Sequence, residues 1–192
     1  MFAIVKDNQI VKTGGSIRAL FSNISFPASG PSAEWKTENG VMEVVDGEQK
    51  DQRFYWVTPD NPSLQLIGGV PTRVYINTPK ALEDREEVDE DGNPLYVQVL
   101  GEVDGEPAMV DSEERLVTKG LKSQFISQAK AAANSQLSQT DWYVIRKAER
   151  GVEIPEEVVE ARAKIVADTE DKEAAIAAAT TIEGLITAVT GG

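Results

Sequence analysis

Three groupings in this chain have residue types and spacings that could do chemistry. Asp89-Glu90-Asp91-Gly92-Asn93 alternates oxygen-bearing side chains as a calcium loop does. An EF-hand loop, however, has glycine at its sixth place and glutamate at its twelfth, where this sequence has Pro94 and Leu100. The same residues suit a polar hairpin turn, and that is the reading adopted. Lys12-Thr13-Gly14-Gly15-Ser16 carries glycines and a lysine without the spacing of a phosphate cradle, so it reads as a turn. Ser123 lies near Lys119 and Lys122, as in a serine–lysine dyad, but on a stretch whose alanines and glutamines predict an ordinary helix with solvated lysines.

The absent residue types exclude more. With no Cys and no His there is no disulfide, thiolate nucleophile, zinc ribbon or imidazole base. A sugar-cleaving enzyme would need two carboxylates about 5 to 9 Å apart in one cleft, with aromatic platforms. Only 6% of the chain is aromatic, and its acids crowd into one turn-rich stretch. The expectation is a protein that is not an enzyme, with no catalytic, cofactor-binding or metal-ligating residue.

The formal charge of -13 is unevenly placed. Residues 1–82 balance eight acids against eight bases, whereas residues 83–106 hold ten acids and Arg85 alone. Such an excess repels phosphate backbones, and no basic stripe with interleaved aromatics offsets it, so nucleic-acid binding is not expected. No apolar run approaches the roughly 18 residues of a membrane span, and residues 1–11 lack the pattern of a signal peptide. No membrane insertion is therefore expected. The acidic stretch reads as a solvated connector, with a surface for a basic partner or cation as the alternative.

The elements around these residues change character along the chain. Residues 2–5 and 10–11 flank turn formers and predict an N-terminal hairpin, and Asp46-Gly47, Gly68-Gly69, Asp91-Gly92 and Asp104-Gly105 mark further tight turns. Residues 53–57, 72–76 and 95–100 supply strands, which the prolines should keep short or at edges. Beyond residue 112 the apolar period becomes helical. A helix over residues 116–138 carries Leu121, Phe125, Ala129 and Leu137 on one stripe, and a shorter one from Thr140 or Asp141 ends at Gly151. Pro155 opens a third, and Thr180-Thr181-Ile182-Glu183 can break the last stretch. The fold class expected is α+β: a β-rich part with hairpins over residues 1–82, an acidic hairpin or connector over 83–111 and a small helical bundle over 112–192.

Two sets of side chains stand out for packing or contact. Trp142 and Ile145, with Leu137 and Ile165, are expected to anchor the helical core, because their spacing puts the indole on the inward stripe of a short helix. Phe26, Pro27 and Trp35 sit among Ser, Gly and Pro and are the candidate interface. The small and amide side chains of residues 119–139 could also let another copy approach, giving a possible homo-oligomer.

Thr140-Asp141-Trp142-Tyr143-Val144, preceded by Ser135-Gln136-Leu137-Ser138 and followed by Ile154-Pro155 and a charged Ala/Arg helix, resembles the C-terminal module of tail assembly chaperone and tail fibre assembly proteins of tailed bacteriophages. Where that module has Tyr-Arg, this sequence has Ala161-Arg162. Asn23-Ile24-Ser25-Phe26-Pro27, Trp35 and Gly40-Val41-Met42-Glu43-Val44-Val45 are similar to the N-terminal part of such proteins. The resemblance implies a non-enzymatic tail-associated protein, structural or chaperone-like, whose partners are tail or tail-fibre proteins. It implies a place in the virion tail, with the host cytoplasm as the site of assembly. The alternative is a head or head–tail decoration protein.

Overall fold

The computed structural model describes residues 1–191 and is 37% helix and 33% strand, an α+β protein with a β-rich N-terminal part and C-terminal helices. It divides into two compact units, Met1–Pro79 and Lys80–Gly192.

The first unit opens with β1 (Phe2–Lys6) and β2 (Gln9–Gly14), joined through Asp7 and Asn8 with φ of 49° and 58°. Positive φ at both central residues is what a two-residue hairpin turn demands, and Asp and Asn tolerate it best among residues with a side chain. Helices α1 (Ile17–Leu20) and α2 (Ala33–Glu38) follow, each begun by a serine whose hydroxyl accepts from the backbone N–H three residues on. Next, β3 (Val41–Glu43) pairs with β1, and β4 (Val45–Asp46) lies parallel to β6 (Val70–Pro79). Strand β5 (Tyr55–Ile67), which lies between β4 and β6 in sequence only, is joined to β6 through Gly68 and Gly69 and pairs with its other side. It is 13 residues long and lies at a sheet edge, one of the two alternatives expected of a strand that contains prolines. Its prolines are accommodated because it is an edge strand of the order β4-β6-β5 and its register slips between Pro59 and Leu64.

The core of this unit is small. Ile4, Ile17, Leu20 and Val41 are buried together, with Phe2, Phe21, Phe26 and Trp35 packed against them. Phe54 and Tyr55 are buried at the start of β5.

In the second unit, β7 (Arg85–Glu86) pairs with β10 (Val117–Thr118), and β8 (Tyr96–Val103) pairs with β9 (Glu106–Arg115) as a two-stranded hairpin turned through Asp104 and Gly105. Helices α3 (Leu121–Ser138), α4 (Asp141–Arg150), α5 (Glu156–Ala178) and α6 (Ile182–Thr190) complete the chain. The switch to helix therefore falls at Leu121 rather than residue 116, because residues 106–115 form a hairpin with β8 and residues 117–118 are held in a strand by partners more than 30 residues earlier. Pro155 occupies the N-cap of α5, and Thr181 caps α6 through its hydroxyl to the N–H of Gly184.

Residues 81–84 are bonded to the start of α3, while residues 85–87 bond to residues 116–118, so the beginning of the acidic stretch is held in place with its side chains largely exposed. The Leu121 and Lys122 N–H groups donate to the Ala81 and Leu82 carbonyls, and the Asp84 carboxylate accepts from the Gly120 N–H at 2.8 Å and from Lys119 at 3.1 Å. A Cβ on Gly120 would collide with the carbonyls of Leu82 and Glu83, so this close approach requires glycine. Hydrogen bonds from the Ser123 hydroxyl, the Gly120 N–H and Lys119 hold the Asp84 carboxyl below the usual aspartate value. A carboxyl lowered on folding stabilises the native state fully above its unfolded pKa and loses that contribution as pH falls through the folded one. Asp84→Asn should therefore be less stable than wild type at neutral pH, with the gap closing on acidification; urea midpoints measured across the acid range check this. A gap independent of pH would remove Asp84 from the account.

Candidate functional site

Two of the three chemical groupings are taken up in local hydrogen bonds and ion pairs. The Asp89 carboxylate is engaged as a turn acceptor, from the N–H groups of Asp91 at 2.9 Å and Asn93 at 2.8 Å and from the Asn93 amide at 3.0 Å, which also lower its pKa. Ser123 donates to Asp84, while Lys119 and Lys122 pair with Asp84 and Glu83. Among the described residues there is no cluster of three acidic side chains placed to hold a metal ion. No helix of the described residues is long and apolar enough to cross a membrane.

The candidate residues exchange places. Trp35, read as an interface side chain, is the centre of an aromatic cluster, edge-on to Phe21 with ring centroids 5.0 Å apart and to Phe26 at 4.9 Å. It is half-buried, as is Phe26, and only Pro27 is exposed. The reason is α2: the Ser32 cap starts a helix that turns Trp35 onto the core formed by Ile4, Ile17, Leu20 and Val41. Trp142 and Ile145, read as core anchors, are 50% and 55% exposed, while Leu137 and Ile165 are half-buried. Helices α3 and α5 pack on each other, and α5 packs on α6, so the ten residues of α4 include none that is buried.

What fixes α4 is a corner built around Arg162. Its guanidinium reaches from α5 to the Leu137 carbonyl and the Thr140 hydroxyl, both at 2.7 Å, and to the Asp141 carboxylate at 3.0 Å. The Thr140 hydroxyl in turn donates to the Leu137 carbonyl. One planar cation thus ties the Leu137 carbonyl near the end of α3, which also accepts from the Thr140 N–H, to the first carboxylate of α4. Arg162, distant in the sequence, is brought here to the adjacent Thr140 and Asp141. Arg162→Ala should cost about 1.5 to 3 kcal/mol, the range for a hydrogen-bonded charged group. Amide exchange should rise first in α4, and unchanged α4 protection would contradict the assignment.

Held in this way, α4 presents a built surface. The Trp142 and Tyr143 rings lie with centroids 3.7 Å apart at 30°, and the Arg146 guanidinium sits 5.0 Å and 5.2 Å from them. Its Nε is shut off from solvent without a hydrogen-bond acceptor among the described residues. Trp142, Ile145, Arg146, Glu149 and Arg150 line an open concavity of about 340 Å³. Trp, Tyr and Arg are the residue types that dominate binding energy at protein contacts, and stacking restrains these before any partner arrives.

A second bare surface is the β8–β9 hairpin, whose two strands have no further neighbour in their sheet. The register sets Leu100 opposite Met109, and they are 75% and 60% exposed. The sequence pattern assigns residues 95–100 to a strand without distinguishing a covered face from a bare one. Arg146 is detectable from its position four residues after Trp142, but nothing local marks Leu100 or Met109.

No described protein family matches the chain, and no curated protein or solved structure is significantly similar to it.

Proposed function

We propose that the protein is a non-enzymatic, tail-associated component of a tailed bacteriophage, structural or assembly-assisting, that works by contact with tail or tail-fibre proteins and is retained in the virion. The observation that carries this reading is the exposed Trp142–Arg146 face of α4. It lies in the same Thr140-Asp141-Trp142 segment that resembles the phage assembly module, and the Arg of the second helix of that module has a counterpart in Arg162. An exposed indole stacked against an arginine is of the kind that anchors protein contacts, which supports a binding role. Assembly takes place in the host cytoplasm on this reading.

Co-expression with the tail and fibre proteins of the same genome, followed by size-exclusion chromatography, tests the proposal. The wild-type chain should co-elute with at least one of them. Trp142→Ala should change stability by less than about 1 kcal/mol, because the side chain is half exposed, yet weaken co-elution as truncation of a contact aromatic does. Co-elution with head proteins only would replace the tail by the head or head–tail decoration reading.

A further inference from the structure

The two bare surfaces of the second unit are complementary in chemistry. On one face of the hairpin the register places Gln98, Leu100 and Glu102 on β8 opposite Asp111, Met109 and Pro107 on β9, an apolar pair with a carboxylate towards each end. The hairpin as a whole carries six acids, Glu102, Asp104, Glu106, Asp111, Glu113 and Glu114, against Arg115. Glu102 has no cationic partner among the described residues, and Arg115 is spent on Glu86. On α4 the apolar pair is Trp142 and Ile145, followed by Arg146 and, one turn later, Arg150. Neither arginine has a carboxylate partner among the described residues, whereas the neighbouring Lys147 is held by Glu153. In a chain of charge -13, two arginines without carboxylate partners beside an indole, Arg146 half-buried and Arg150 exposed, are a local exception.

We infer that the occupant of the α4 face is a second copy of this chain, docking its β8–β9 hairpin so that Leu100 and Met109 cover Trp142 and Ile145 and Glu102 meets Arg150. Within one chain neither surface covers the other, since Leu100 is 75% and Trp142 50% exposed. The contact joins two different surfaces, so a pair of copies keeps one free hairpin and one free helix face, and successive copies add head to tail until they close a ring or extend a row. One hairpin face on one ten-residue helix is well below the roughly 1,200 Å² of a stable interface, so a single contact is weak, and repetition in an assembly strengthens it. Self-repulsion from the net charge works against encounter at low salt and is largely screened at about 0.15 M, where a pair in direct contact is screened less. This docking uses the same α4 face as the tail reading, and in a row of copies the terminal helix face stays open to a tail protein; because self-association is read on the purified chain alone, its failure is distinguishable from failure of the tail reading.

The test uses the full-length purified protein in sedimentation velocity over a wide concentration range at physiological salt. Wild-type mass should rise with concentration. Leu100→Ser, which removes the hairpin face, and Trp142→Ala, which removes the helix face, should each be monomeric. An equimolar mixture of the two should form one-to-one dimers, because each supplies the surface that the other lacks. Arg150→Glu should weaken association about tenfold, and adding Glu102→Arg in the same chain should restore it. Circular dichroism melts identical to wild type verify that each variant is folded, and Gln98→Ser and Ile145→Ala serve as substitutes on the same two faces. A wild-type chain that stays monomeric throughout would overturn the inference. So would an association that one face's variant abolishes and the other's leaves unchanged, or a mixture that fails to complement.

Discussion

Trp35→Ala is expected to destabilise the first unit by about 3 kcal/mol. The indole makes edge-to-face contacts with Phe21 and Phe26 and packs on Ile4, Ile17, Leu20 and Val41. Each aromatic pair of this geometry contributes about 0.5 to 1.5 kcal/mol beyond its buried area. Removing a well-buried Trp or Phe costs about 3 to 5 kcal/mol, and Trp35 is placed at the lower end because its ring is half-buried. A unit of 79 residues has a total stability of only about 4 to 12 kcal/mol, so the change consumes a large share of it. Urea unfolding with hydrogen exchange resolved over residues 2–14 measures the loss. Exchange at wild-type rates, together with weakened binding to a tail or fibre protein, would return Trp35 to the interface role that its surroundings in the sequence suggest.

Leu185→Ala should cost the helical unit about 3 to 5 kcal/mol and release α6. Leu185 and Ile176 are both fully buried, with Ala179 and Ile182 buried around the turn between α5 and α6. Deleting a buried leucine loses its transfer free energy and leaves a cavity, and the surrounding backbone closes only part of it. A nine-residue helix cannot persist alone, because its stability comes from packing rather than propensity. Early exchange of the amides of residues 182–190, at unchanged protection in the first unit, is the expected signature. Near-wild-type exchange there would show that α6 is held by something other than Leu185.

These outcomes follow from parts of the fold that differ in how far the sequence reveals them. The turns at Gly68-Gly69 and Asp104-Gly105 are legible because a tight hairpin needs positive φ, which few residue types accept. Gly151, at φ of 67°, ends α4 for the same reason. The start of α3 is not legible: residues 116–120 have helical apolar spacing, yet Val117 and Thr118 are drawn into pairing with Glu86 and Arg85. Such a partner, more than 30 residues away, leaves no local trace in the pattern. Trp142 departs from its expected role for a different reason. Periodicity finds the apolar stripe of α4 correctly but says nothing of whether another element covers it, and α3 and α5 cover each other instead. Trp35 departs in the opposite sense, because the surrounding Ser, Gly and Pro suggest an open loop where a six-residue helix folds the ring inward.

The central claim is that this chain works as a contact protein of a phage tail, and quantitative mass spectrometry of particles produced by the genome that encodes it, separated into heads and tails, tests that claim most directly. The account predicts the chain in the tail fraction at a fixed ratio to the tail proteins, and its depletion from that fraction in Trp142→Ala particles. A chain absent from the particles that also co-elutes with no tail protein, or one found only with heads, would contradict it.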